Sequence, residues 1–169
     1  MSNISVIDLT RHVDDRGDLA ELWRKSWMEV DDKPFEVNQV YTVFDPSPGT
    51  VRAYHRHERL WDLFHIASGS AKFHIVMGPS QFPVEEMPDG EEASDFINRE
   101  GPDEKIITLS ARKPQLLIVP PFYWHGWMSL EPNTLLISLA SHEYNRDEPD
   151  EERIHPYMFG MAVWKVESK

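Results

Sequence analysis

There is no cysteine in the sequence. A disulfide framework, a thiol nucleophile and a thiolate-bound zinc site are excluded together, and the composition suits a reducing compartment. Long apolar runs are missing as well, since no stretch approaches the roughly 18–20 residues that cross a bilayer as a helix. The opening Met1-Ser2-Asn3-Ile4-Ser5 has neither the basic start nor the apolar core of a secretory signal. A cytoplasmic chain with no membrane partner is expected. Positive charge is scarce, with 17 Lys and Arg against 29 Asp and Glu and a net charge of −12. Binding to nucleic acid needs clustered basic residues that meet the phosphates, so no nucleic-acid partner is expected.

The chain is instead rich in short, strand-like runs. Its 169 residues are 40% hydrophobic, with six Trp, eight Phe and five Tyr. That is enough for one packed core, and residues 1–169 are read as a single domain. Runs of β-branched and aromatic residues recur at Ile4–Leu9, Val40–Phe44, Thr50–His57, Trp61–Ala67, Ala71–Met77, Lys105–Leu109, Gln115–Val119, Thr134–Ala140 and Met161–Val166. Pro46, Pro48, Gly49, Gly69, Gly78, Pro120 and Pro121 punctuate them. None of these runs carries a helical stripe, and Leu19–Met28 is expected as a strand followed by a loop. Many short strands at fairly even spacing predict an all-β sandwich or barrel.

Val84–Glu104 is acidic, bears Pro and Gly, and is predicted as a long loop between two strands. The charged segment Glu143–Arg153 is followed by Ile154, Pro156, Tyr157 and Phe159, which are expected to pack back on the body. Residues 1–83 hold 9 basic and 12 acidic side chains, and residues 84–169 hold 8 and 17. The acidic excess therefore lies away from Arg16, Arg52, Arg56 and Arg59, and it does not exclude an anionic small ligand.

The chemistry gathers in Gly49-Thr-Val-Arg52-Ala-Tyr54-His55-Arg56-His57, followed by Asp62 and Gly69. Strand alternation puts His55 and His57 on one face with Val51 and Ala53. It puts Arg52, Tyr54 and Arg56 on the other, unless a bulge intervenes. Two adjacent imidazoles suit a metal or an acid/base pair near neutral pH. In isolation they would more simply be partly exposed strand histidines. Trp61, Tyr123, Trp124 and Trp127 surround this region, and Tyr123 and Trp124 are the two expected to line the mouth of a site. Lys72 and His74, out of phase with Phe73 and Ile75, are expected at the surface or an interface.

The run from Gly49 through His55, His57 and Asp62 to Gly69 resembles the first motif of the cupin barrel, with Asp where Glu is usual. Pro120-Pro-Phe-Tyr-Trp-His125 resembles the second motif, with Phe122 in place of its usual Gly. Asp14-Asp15-Arg16-Gly17-Asp18-Leu19-Ala20-Glu21 looks like the opening signature of the dTDP-4-dehydrorhamnose 3,5-epimerase family. Pro34–Val37, Val40–Phe44, Arg52-x-x-His55, Val119–Gly126 and Glu143-Tyr144 extend that resemblance. His55-x-His57 and Leu139-Ala140-Ser141-x-x-Tyr144 are also similar to the related nucleotide-sugar 3,4-ketoisomerases.

The resemblance implies an RmlC-like cupin, or jelly-roll, barrel that forms a homodimer. It implies an isomerase acting without a cofactor on a nucleotide-linked 4-keto-6-deoxy sugar in polysaccharide or glycoside biosynthesis. By the same resemblance His55 is the base, oriented by a carboxylate the sequence does not identify. His57 is a second proton carrier and His125 a donor or wall residue. Arg16 and Arg52 meet the diphosphate, with Glu21 and Gln39 on the nucleotide side.

Two departures bear on the reaction. The strand after His125-Gly126 reads Leu135-Leu136-Ile137-Ser138-Leu139, without the Tyr acid of the epimerases. Asp62 stands where the epimerases place Lys and the ketoisomerases Gln, and an ionised Asp repels an oxyanion. Both argue against an unaltered 3,5-epimerase. His55, His57, Asp62 and His125 also form the three-His, one-carboxylate set of metal cupins, suited to Mn, Fe, Ni or Zn. That set would make the chain a metal-dependent enzyme for another small molecule. A non-catalytic sugar-binding cupin is the third reading.

Overall fold

The computed structural model describes residues 4–30, 33–78 and 104–166. The β-branched and aromatic runs form strands, as fits side chains that pack well on a pleated surface. In chain order these are β1 (Ser5–Asp8), β2 (Arg11–Asp14), β3 (Gly17–Ala20), β4 (Glu29–Val30), β5 (Lys33–Pro34), β6 (Gln39–Asp45) and β7 (Val51–Arg56). They continue as β8 (Asp62–Ser68), β9 (Ser70–Met77), β10 (Glu104–Ser110), β11 (Gln115–Val119), β12 (Tyr123–Ser129), β13 (Thr134–Ala140) and β14 (Glu152–Arg153). Two five-stranded antiparallel sheets result, ordered β1-β11-β8-β13-β6 and β10-β9-β12-β7-β14. They face one another as a jelly-roll-like sandwich. β2 and β3 form a separate hairpin, and β4 pairs only with β5. Val84–Asp103, nearly all of the predicted acidic loop, lies outside the described residues. Its last residue, Glu104, opens β10.

The packing has three layers. Phe64, Ile66, Phe73, Ile75, Leu117 and Leu136 are among the residues that fill the space between the sheets. Phe35, Leu63, Leu116 and Ile118 form a second cluster with Trp23, Met28 and Trp61, so the N-terminal region covers the outer face of the first sheet. Tyr54, Val76, Trp124 and Met128 form a third with Phe159 and Trp164 on the outer face of the second sheet. This coverage explains where alternation fails. All seven residues of β12 are buried, so its sequence carries no in/out rhythm, and no strand was expected at Tyr123–Ser129. Met161–Val166, expected as a strand, instead contains a 3-10 turn at Met161–Trp164 that seats Trp164 against the sheet.

His74 also departs from expectation. It is completely buried rather than at the surface, because the C-terminal segment covers its face. Tyr54 O–H donates to its Nδ1 (2.6 Å), and its Nε2–H donates to Glu104 Oε1 (2.8 Å). Lys72, on the same face, donates to the Lys165 carbonyl.

Burial pushes the His74 imidazole below its ordinary value of 6.5, against the opposing pull of Glu104, with Lys72 adding to the downward shift. The folded chain thus keeps this ring neutral where the unfolded chain protonates it. Its contribution to stability is full above pH 6.5 and drains as pH falls through the lower folded value. In urea titrations at pH 7.5 and 5, the stability gap between wild type and His74→Asn is expected to shrink at the lower pH.

Candidate active site

The site depends on one extra residue in β7. On β12, His125 pairs with His55 and Trp127 pairs with Arg52, so two steps of β12 match three steps of β7. A bulge of this kind reverses the facing of whatever precedes it. Arg52 therefore points into the sandwich with His55 and His57, whereas strict alternation would turn it outward. Tyr54 faces out, into the Phe159–Trp164 cluster. Gly126 makes the bulge possible. A Cβ at Gly126 would lie 2.2 Å from Ala53 Cβ and 2.8 Å from its Cα.

The inward residues line a cavity of about 850 Å³ at one end of the sandwich. Arg52, His55, His57, Asp62, Phe64, His125 and Trp127 line it from the strands. The segment after β13 adds Tyr144, Asp150, Glu151 and Arg153. That segment runs across the cavity as a strap. Glu152 and Arg153 pair with Arg56 and His55 as β14, and Tyr54 and Ile154 exchange backbone hydrogen bonds. Asp150 anchors it by accepting the backbone N–H groups of Glu58, Arg59 and Leu60 at 2.9–3.0 Å. The buried Arg56 guanidinium pairs with Glu152 at 2.9 Å and lies over the Phe122 ring, 5.3 Å from its centroid.

The strap supplies the carboxylate that the sequence left unidentified. His55 Nδ1 is hydrogen-bonded to Glu151 Oε1. The His55 contact is the main reason that the Glu151 carboxyl is held down to about 2, with Arg153 adding to it against burial. Glu151 is thus a fixed negative charge behind the imidazole, with His55 left to meet the cavity through Nε2. Sequence reasoning missed it because Glu148–Glu152 reads as a solvated acidic run without periodicity.

A second cluster forms the floor. Asp62 is 3% exposed. Its Oδ2 lies 3.4 Å from His57 Nε2 and 3.3 Å from His125 Nε2, and Ser138 Oγ donates to its Oδ1 at 3.2 Å. Burial alone would raise this carboxyl, but the contacts to His125 and His57 outweigh it and hold Asp62 well below the usual range. Burial likewise opposes charge on His57. The hydrogen bond and charge of Asp62, helped by the Asp150 carbonyl, nevertheless raise its pKa. The Nδ1–H groups of His57 and His125 donate to the backbone carbonyls of Asp150 and Tyr123. Both Nε2 atoms therefore turn toward one carboxylate oxygen, an arrangement satisfied by protons between them or by a cation.

Donor atoms of His57, Asp62 and His125 lie within 4.8 Å of one another and suit a divalent ion. His55 is not in that group. The expected four-residue metal set is thus reduced to three residues.

The remaining predicted site residues divide. Gln39 lines the cavity and accepts the Tyr144 backbone N–H at 2.8 Å. Arg52 lines it too and pairs with the buried Asp45 at 2.7 Å. Tyr123 and Trp124, expected at the mouth, are 2% and 1% exposed and do not line it. Tyr123 packs between the sheets, and Trp124 joins the outer cluster. Arg16 and Glu21 lie on and just beyond the exposed β2–β3 hairpin, paired with Asp14 and Arg24, and do not line the cavity of their own chain. Phe122 keeps a backbone φ of +72°, the left-handed conformation suited to the glycine that usually occupies its place.

The fold is thus a two-sheet jelly roll of cupin type, with His55, His57 and His125 lining the space between the sheets. The family profile described as "FdtA: WxcM-like, C-terminal" matches residues 2–84. The chain is 30% identical over 158 residues to the probable low-salt glycan biosynthesis epimerase Agl13 of Haloferax volcanii, covering 92% of this chain and 87% of that protein. The 3'-monoepimerase ChmJ of Streptomyces bikiniensis, solved with dTDP-quinovose, superposes with a TM-score of 0.72 at 18% identity, covering 94% of this chain and 74% of that one. QdtA of Thermoanaerobacterium thermosaccharolyticum, a sugar 3,4-ketoisomerase solved with TDP, superposes with a TM-score of 0.62 at 23% identity, covering 93% and 92%. The chain belongs to the same family as the Haloferax volcanii protein, and its residues 2–84 match the FdtA, WxcM-like C-terminal profile.

Replacing Gly126 with Ala is expected to force β7 away from β12, since backbone and Cβ atoms of Ala53 occupy the space. Urea unfolding should show a loss of about 1–3 kcal/mol, the range for overpacking a tight contact.

Proposed function

We propose that the chain is an isomerase that epimerises or keto-isomerises a nucleotide-activated 4-keto-6-deoxy sugar for glycan biosynthesis. The observation that carries this is the His55–Glu151 pair at the wall of the cavity. It is supported by identity to a protein described as a glycan biosynthesis epimerase and by likeness to folds solved with dTDP-quinovose and with TDP. A C–H next to a ketone is acidic only if its electron pair flows into the carbonyl oxygen. The protein must therefore supply a base at the carbon and donors at the oxygen.

In this reading His55 Nε2 takes the proton, and ionised Glu151 stabilises the imidazolium that forms. The carbonyl oxygen lies toward His57 and His125. Arg52, Arg59 and Arg153 line the cavity and meet the diphosphate, with Gln39 on the nucleotide side.

The functional unit is a homodimer. Val13 and Leu19 on the hairpin and Val40 and Phe44 on edge strand β6 are 54–74% exposed, an apolar surface that a second copy would cover. Such docking would bring Arg16 and Glu21 toward the partner's cavity.

A second reading, a metal-dependent cupin, is favoured by the convergence of His57, Asp62 and His125. A bound divalent ion would polarise a substrate carbonyl.

Nucleotide-linked 4-keto-6-deoxy sugars incubated with the protein in D₂O and followed by NMR should gain deuterium beside the ketone. His55→Asn should slow this about 10²–10⁴-fold, and Glu151→Gln should slow it less. Binding without any label would place the chain among sugar-binding cupins. Turnover should also survive chelation. Stoichiometric metal that is removed together with turnover would instead favour the metal-dependent reading.

A further inference from the structure

The site has a base but lacks a tyrosine on the strand where the epimerases carry their acid. The facing sheet offers a phenol on a different strand. β6 and β7 leave the turn at residues 46–50 on opposite sheets, and the Arg52–Asp45 ion pair joins them across the gap. Moving away from that turn, β6 reaches Tyr41 as β7 reaches His55. Gln39, Tyr41 and Val43 all line the cavity, so the odd-numbered residues of β6 face inward. Tyr41 pairs in register with Ser138 on β13. Ser138 donates its hydroxyl proton to Asp62 Oδ1. Tyr41 lines the same cavity as Asp62 of the floor and Glu151 of the strap. Tyr41 is 41% exposed, and partial burial with the charges of Asp62 and Glu151 pushes its phenol up to about 12, so it holds its proton at neutral pH.

The geometry points to Tyr41 as the proton donor on the cavity wall opposite His55, which makes the reaction an epimerisation rather than a keto-isomerisation. This rests on the function proposed above. Facing sheets stand about 10 Å apart, room for one sugar ring between the two walls. His55 removes the proton beside the ketone, the C–H electron pair becomes the enolate, and the negative charge sits on the former carbonyl oxygen. Tyr41 O–H then protonates the same carbon on the opposite face. The ketone reforms with that carbon inverted, the phenolate regains a proton from water, and His55 releases its own. No oxidant or reductant is consumed. His57 directly follows β7 and lines the same wall as His55, so a proton returned by His57 would reach the same face and would not invert the carbon.

Tyr41→Phe separates these routes. In D₂O with the nucleotide-linked 4-keto sugar that wild type turns over, the variant should form inverted product about 10²–10⁴-fold more slowly. It should still exchange deuterium into the substrate with unchanged configuration at close to the wild-type rate. Melting and sugar binding should match wild type, because the ring and its packing remain. Inverted product formed at the wild-type rate by Tyr41→Phe overturns the proposal, as does joint loss of exchange and product in a folded, sugar-binding variant. A wild-type keto-isomer product overturns it while leaving the proposed substrate class intact. A wild type that exchanges no deuterium with any such sugar overturns both.

Discussion

A buried carboxylate organises this end of the sandwich. Removing an ionised Asp62 from water costs several kcal/mol unless donors replace the solvent. Those donors come from His57, just beyond β7, and from His125 on β12 and Ser138 on β13. Asp62 and Ser138 belong to one sheet, and His125 and the β7 strand leading to His57 belong to the other. The two sheets are thus joined here by polar contacts, whereas Phe64, Phe73, Leu117 and Leu136 join them in the core by apolar packing. A polar floor leaves space above it unfilled by side chains, and the cavity is that space.

The same contacts alter the meaning of an Asp in a position associated with Lys. A carboxylate aimed at a developing oxyanion would oppose it. Here Oδ2 faces two imidazoles and Oδ1 faces a serine hydroxyl. The charge is answered inside the floor, where it raises the pKa of His57 against the effect of burial. The carboxylate at this motif position is turned into the floor and its charge is met there by its neighbours.

Much of the site was legible in sequence because its spacing is local. His55, His57, Asp62 and His125 fall in motifs whose strands do converge. The facing of Arg52 was not legible, since one extra residue in β7 shifts the phase and the sequence around Ala53 carries no mark of it. Gly126, whose missing side chain admits the bulge, lies some seventy residues away. Tyr123, Trp124 and His74 were misplaced for a different reason. Alternation assumes one wet face per strand, and both outer faces of this sandwich are covered by chain from the two ends. Glu151 acts through a long-range contact that no local pattern announces. The β-branched runs Gln115–Val119 and Thr134–Ala140, by contrast, coincide with β11 and β13. Their hydrophobicity and turn signals suffice there.

The strap divides the work of the site between two parts of the chain. The strands from β6 to β13 precede residue 141, while Asp150 and Glu151 follow them. Lifting the strap away would leave β7 paired with β12 and the imidazoles on the cavity wall, but without the carboxylate that fixes the orientation of His55. Shape and orientation at this cavity thus rest on separate segments, and a change in the strap can alter one without the other.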